Sequence, residues 1–275
     1  MAISFNPNYM LIEADSLNRI LNNKDVKILD SRWYLNDKRK GLNEFKKNHI
    51  PNSIFLDLEN FSDQKSNLPH MLPSKEEFEL KVSELGIKKR DKIIIYDQVG
   101  FFCSTRIWLM FKIFGHQKVS VLNGGYQNWK KKFKTEKYIK SFSKTTYKVY
   151  KKNKVILSKK EVKNILGNIK FQIIDARPKN RFDGIVAEPR KNIIRGNIEG
   201  SINIPFDSIN KSGKIFCNYK LKEILYKNKE LEKKKIIVLC GSGVTACNII
   251  FALHKIQHKK KIYLYDGSWS EWGLK

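Results

Sequence analysis

Apolar residues fall along this chain in short unbroken runs, separated by polar stretches and by segments with helical apolar spacing. Residues 26–30 (VKILD), 53–56 (SIFL), 93–96 (IIIY) and 119–122 (VSVL) read as strands in the first half. Residues 171–175 (FQIID), 201–204 (SINI), 236–239 (IIVL) and 262–265 (IYLY) do the same in the second. Runs without polar alternation belong to strands buried on both faces, as in parallel sheets. Apolar-periodic helices are predicted at 105–114 and 245–256, each directly after the third strand of its half. Strands alternating with helices predict an α/β protein whose mostly parallel sheets are flanked by helices.

The same order appears twice because the sequence itself repeats. KIIIYDQVG at 92–100 returns 143 positions later as KIIVLCGSG at 235–243. NGGYQNW at 123–129 returns, again 143 later, as DGSWSEW at 266–272. KILD ending at Asp30 answers QIID ending at Asp175, and HIPNSI from His49 answers NIEGSI from Asn197. Near-constant offset over most of the length is the signature of an internal duplication. The expected division is a first domain at 1–135, a Lys-rich connector at 136–154 and a second domain at 155–275.

Composition narrows the function classes. The formal charge of +27 invites a nucleic-acid reading, but 45 of the 54 basic residues are Lys and nine are Arg, the residue that reads bases and phosphates through a fork. Residues 130–160 alone hold 13 Lys against one acid, Glu136. No zinc-finger spacing, aromatic RNA-stacking signature or P-loop is present, so no specific nucleic acid is expected. Four Cys in 275 residues make no disulfide scaffold, and none pairs with His at metal-ligand spacing, so no metal or cofactor is expected. Residues 1–10 lack a basic segment followed by an apolar run. Residues 101–114, the richest apolar stretch, are interrupted by Arg106 and Lys112 and are too short to span a bilayer. A soluble cytoplasmic protein is the expectation.

The loop after the third strand differs between the halves. In the second it reads Cys240-Gly241-Ser242-Gly243-Val244-Thr245-Ala246, and in the first the aligned position is Asp97. Such a loop lies beyond the carboxyl end of a parallel strand, where open α/β sheets place their sites. Two glycines allow the backbone N–H groups to turn toward one centre, and the following helix N-terminus adds partial positive charge. That surrounding favours a reactive thiolate and would hold an anion attached to the sulfur. Asp97 cannot act as a sulfur nucleophile, so the second half is the catalytic one and the first a degenerate copy.

CGSGVTA, together with tandem H-I-P-x-S and D-G-x-x-x-x-W signals, resembles the two-domain rhodanese superfamily of sulfurtransferases. Within it, DSRWYL at 30–35, PHMLP at 69–73, RF at 181–182 and EPR at 188–190 resemble the 3-mercaptopyruvate branch. Thiosulfate-type members usually carry basic residues just after the cysteine, where Gly241 and Ser242 stand here. The resemblance implies tandem rhodanese-like domains and a ping-pong reaction. Cys240 would take the sulfur of 3-mercaptopyruvate as a persulfide, release pyruvate, and pass the sulfur to thioredoxin, a small thiol or cyanide. Gly241, Gly243, Val244 and Thr245 would bind substrate through the loop. Arg181 and Arg190 match the substrate arginines, while Arg177 and Arg195 are assigned to structural pairing. Glu59, His70 and Ser242 match a proposed acid–histidine–serine relay. His49 and His116 read as structural, as do Cys247 and the tryptophans at 108, 129, 269 and 272.

Three rival readings stand beside this one. Thiosulfate sulfurtransferase shares the persulfide mechanism. A cysteine phosphatase would need Arg six positions after the cysteine, where Ala246 stands. A basic nucleic-acid binder rests on charge alone.

Overall fold

The computed structural model describes residues 9–37, 39–150 and 153–275. Most of the N-terminal stretch read for a signal, and the connector residues 151 and 152, lie outside these. In the first half run β1 (Leu11–Ile12), β2 (Val26–Asp30), β3 (Ser53–Phe55), β4 (Lys92–Tyr96) and β5 (Val119–Leu122), all parallel, in the order β1-β5-β4-β2-β3. The second half follows with β6 (Ile156–Leu157), β7 (Phe171–Asp175), β8 (Ile202–Asn203), β9 (Asn210–Lys211), β10 (Lys214–Ile215), β11 (Lys235–Leu239) and β12 (Ile262–Tyr265). Its parallel sheet repeats the order as β6-β12-β11-β7-β8, and β9 and β10 form a separate antiparallel hairpin. The edge strands β1 and β6 have only two residues each and gave no periodicity to read.

The halves meet through the helices that follow β4 and β11. Every residue of the Ser104–Ile113 helix is buried, and so are the first eight of Ala246–Lys255. Their apolar character on all sides follows from being covered by a sheet on one side and by the other half on the other. Trp108 packs edge-on against Phe251, 4.9 Å between ring centres, and Thr105 hydrogen-bonds Asn248. Both pairs join positions 143 apart, so equivalent residues touch each other. That occurs only around a two-fold axis, here an approximate one within a single chain.

Polar ties cross the same interface. Arg106, fully buried, pairs with Asp266 at 2.7 Å and donates to the carbonyls of His70 and Gly243. Each half also sends a segment over the other. The β9–β10 hairpin reaches the first half, with Gly124 N–H donating to Gly213 O at 2.9 Å and Ile215 N–H to Asn123 Oδ1 at 3.0 Å. In return Leu72 N–H, from the loop holding His70, donates to Asp266 Oδ2 at 2.7 Å.

The Lys-rich connector is a docked strap. Glu136 bridges His49 in antiparallel fashion, and Asn52 N–H donates to its Oε1 at 2.6 Å. Farther on, Tyr147 and Val149 are buried while Lys148 and Tyr150 are exposed, a period of two. Tyr147 N–H donates to Ser83 Oγ and Val149 N–H to Glu79 Oε1, tying the strap to the Lys75–Glu84 helix. Of the described lysines between 130 and 160, all but Lys159 are exposed, as expected for a solvated face.

Candidate active site

Cys240 follows β11 directly and is 2% exposed at the floor of a cavity of about 240 Å³. The register Leu239↔Asp175 sets the loop after β11 beside the loop after β7, so the cysteine and the arginine cluster emerge from neighbouring strand ends. The backbone of residues 240–245 is held from behind. Trp269 and Ser270 N–H groups donate to the carbonyls of Cys240 and Gly241, both at 2.9 Å, and Cys240 N–H donates to Ser268 Oγ at 3.2 Å. Among the described residues, none accepts from the N–H groups of Gly241, Ser242, Gly243, Val244 or Thr245. The helix starts at Ala246, the last residue of the seven-residue stretch and one position after the expected start at 245. Gly243 stands at φ +73°, where a side chain would be strained and would meet Asp266.

Two guanidinium groups roof this floor. A Cβ on Gly241 would lie 3.0 Å from Arg181 Nη2 and 3.8 Å from Arg190 Nη1, so the glycine leaves room for both. Arg181 is forked onto Glu188. Arg190 donates to Ser242 Oγ at 3.3 Å. Burial pulls the Arg190 guanidinium below its usual value, with the Cys240 sulfur opposing that shift and Arg181 adding to it. Arg177 is wholly buried, doubly bonded to Asp175, bonded to Glu188 at 2.8 Å, and stacked over Trp269. Arg32 does the same in the first half with Asp30 and Tyr126. Arg195 differs from its expected role: it is bonded to a carbonyl, that of Ile185, and no carboxylate pairs with it among the described residues.

The first half delivers the remaining groups. Asp57 caps the short Leu58–Phe61 helix by accepting from Glu59 N–H, which fixes where Glu59 starts its turn. His70 lies at φ +60°, a region that costs a non-glycine residue about 1–3 kcal/mol, and Arg106 holds its carbonyl there. Its Nδ1 is 2.9 Å from Ser242 Oγ and its Nε2 3.0 Å from Glu59 Oε1. With Nε2–H donating to the Glu59 carboxylate, Nδ1 is left to accept from the Ser242 hydroxyl. Burial lowers the His70 pKa below its usual value, the Glu59 charge opposing it, so the ring is neutral at pH 7. Trp33 Nε1–H donates to the same Glu59 oxygen at 2.9 Å, and its ring meets His70 edge-on at 5.0 Å.

A profile for the rhodanese-like domain matches residues 13–132 and again 158–275. The chain belongs to the rhodanese family. It is 38% identical to thiosulfate/3-mercaptopyruvate sulfurtransferase 1, mitochondrial, of Arabidopsis thaliana, over 95% of this chain and 75% of that one. It is 34% identical to 3-mercaptopyruvate sulfurtransferase of Escherichia coli, over 96% of this chain and 95% of that one. The crystal structure of SseA from Escherichia coli, described as a 3-mercaptopyruvate sulfotransferase, superposes with a TM-score of 0.85 at 32% identity, covering 95% and 98% of the two chains.

Within this rhodanese fold, Cys240, Gly241, Ser242, Val244, Thr245, Arg181 and Arg190 line the cavity, while His70 reaches it through Ser242, Glu59 lies behind His70, and Gly243 shapes the loop without lining it. Five contributors escaped the sequence reading. Glu188 was read only as part of EPR, although it bonds two of the arginines. Asp266 was read only as the first letter of a repeat. Ser268 was read only within the repeat DGSWSEW, and Trp33 only within DSRWYL. Arg106 offered a signal, a lone charge inside the most apolar stretch. The other cysteines stay apart from the chemistry. Burial pushes the Cys247 thiol up to about 12, and Cys103 is raised by burial as well. All four cysteines are free, and no group of three potential metal ligands occurs among the described residues. His49 and His116 bond backbone carbonyls and the Tyr147 hydroxyl. No described helix is long and apolar enough to cross a membrane.

Proposed function

We propose that this rhodanese-family protein is a sulfurtransferase that takes sulfur from 3-mercaptopyruvate as a persulfide on Cys240. The observation that carries this reading is the pair of guanidiniums directly above Gly241, beside the nucleophile. A planar carboxylate next to a keto group suits such forks. A basic side chain at 241, as in thiosulfate-type members, would run into Arg181.

In the first half-reaction the Cys240 thiolate attacks the substrate sulfur. An S–S bond forms, the C–S bond breaks, and its electron pair passes to carbon as the enolate of pyruvate. The proton of the substrate thiol is transferred to that carbon, with Ser242 and neutral His70 as carriers and Glu59 balancing the imidazolium that forms transiently. The five open N–H groups of the loop hold the persulfide anion, which is the preorganised stabilisation an emerging negative charge requires. In the second half-reaction an acceptor attacks the outer sulfur and restores the thiolate. Thioredoxin, a small thiol and cyanide are the acceptors in this reading. Four free cysteines suit a reducing compartment, and the cytoplasm is the one this reading assigns.

Intact mass spectrometry after exposure to 3-mercaptopyruvate tests the proposal. One added sulfur atom is expected on Cys240 and none on Cys240→Ser. An unmodified Cys240 after verified turnover would overturn it.

A further inference from the structure

We infer that Glu188 sets the charge of the donor site and so selects singly charged sulfur donors over dianions such as thiosulfate. The inference deepens the proposed function and rests on it.

The charges above Cys240 divide unevenly. Asp175 and Glu188, with side chains 0% and 4% exposed, face Arg177 and Arg181. Glu188 bridges the two arginines, taking Arg177 on Oε1 and Arg181 on both oxygens. Two carboxylates thereby balance two guanidiniums. Arg190 is different, because its recorded bond is to the Ser242 hydroxyl, and no carboxylate pairs with it among the described residues. Glu59 lies behind His70 and is occupied by it and by Trp33. The three arginines with Asp175 and Glu188 therefore leave one net positive charge on two forks of donors, and the Glu59 carboxylate behind neutral His70 already acts on Arg190, leaving still less charge for a second anion.

A monoanion with a carboxylate and a keto oxygen matches that arrangement: charge to Arg190, and hydrogen bonds to the open edge of Arg181. A dianion of thiosulfate type would bring a second negative charge close to the Glu188 carboxylate and to the Cys240 thiolate with nothing to neutralise it. In a half-buried cleft such an imbalance is weakly screened. The donor forks thus bind anions in general, and Glu188 decides how much charge they accept.

The test compares kcat/KM for 3-mercaptopyruvate and thiosulfate in the wild type, Glu188→Gln and Glu188→Asp. In Glu188→Gln the thiosulfate-to-mercaptopyruvate ratio is expected to rise about tenfold or more, through a lower thiosulfate KM that climbs steeply with salt. Glu188→Asp keeps the charge and is expected to hold the ratio near that of the wild type. An unchanged ratio in Glu188→Gln, or an equal rise in both variants, makes Glu188 a brace only and overturns the inference. A wild type that prefers thiosulfate overturns the proposed function itself, and is seen before any variant is made. Should Glu188→Gln fail to fold, the wild type supplies the second measurement. Methanesulfonate and sulfate, alike in shape but singly and doubly charged, are expected to inhibit competitively with similar constants. Sulfate binding more than about tenfold tighter would overturn the inference.

Discussion

Asp97 and Cys240 occupy the same place in the two halves, yet their loops have opposite fates. In the first half the Asp97 carboxylate turns back into its own loop. It accepts from the N–H groups of Val99 (3.2 Å), Gly100 (2.5 Å), Phe102 (2.8 Å), Cys103 (3.0 Å) and Ser104 (2.9 Å). In the second loop the N–H groups of residues 241–245 have no acceptor among the described residues. The supports behind the two are alike: Tyr126 N–H donates to Asp97 O at 2.8 Å, as Trp269 does to Cys240 O at 2.9 Å. One backbone device is therefore used in two ways. Filled by a carboxylate, it is a fixed piece of architecture. Left open, its donors are available to an anion, which is the role the proposed function gives them.

The strongest way to break the contrast is Cys240→Asp, which makes the second loop a copy of the first. Turnover is expected to vanish, by roughly ten-thousand-fold or more, while thermal stability rises because the open donors gain a carboxylate. Denaturation midpoints and steady-state rates check both arms; a less stable variant would mean that the two loops are not equivalent. The reverse change, Asp97→Ala, strips the first loop of its anion. It is expected to cost about 3 kcal/mol, partly regained on adding sulfate, in urea unfolding curves. Turnover should survive in the fraction that stays folded.

Smaller effects come from the groups that only the open loop possesses. Arg190→Gln removes the uncompensated charge and is expected to lower kcat/KM for 3-mercaptopyruvate about a hundredfold, mostly through KM. Arg195→Gln, on the exposed rim, should change the same constant by less than about twofold. His70→Asn is expected to lower kcat about tenfold to a hundredfold. Its pH signature follows from the direction of the shift. Because burial holds the His70 pKa below the ordinary histidine value, the wild-type rate should lose this acceptor only on the acid side of that value, as protonation sets in. The acid limb should be absent from His70→Asn. An identical acid limb in both proteins would remove His70 from the proton path.

Much of this was legible in the residue pattern. Runs such as IIIY and IIVL are strands because nothing polar interrupts them, and the 143-residue offset made each half a check on the other. The two loops were told apart by one letter, Cys240 against Asp97. What stayed hidden depends on distance across the fold. That Asp97 fills its own loop is a matter of backbone curvature, which side-chain identity does not encode. Glu59, His70 and Ser242 are separated by up to 183 positions and meet only because the halves dock. The repeat DGSWSEW contains Ser268 and Asp266 but does not show their roles, which depend on distant partners: Cys240 N–H for Ser268, and Leu72 N–H and Arg106 for Asp266. The strap's alternation at 147–150 is too brief, and too masked by lysines, to stand out in the sequence.

The exchange of covering segments gives the molecule the character of a dimer written on one chain. Ser242 is contributed by one half and its histidine by the other, so the complete constellation is in effect a quaternary product. Docked along the first half, the strap holds the partners at an effective concentration of order millimolar. Severed halves would have to find each other in solution, and their activity would then rise with the square of dilute protein concentration. Tethering turns that encounter into a property of each molecule, independent of how scarce the protein is.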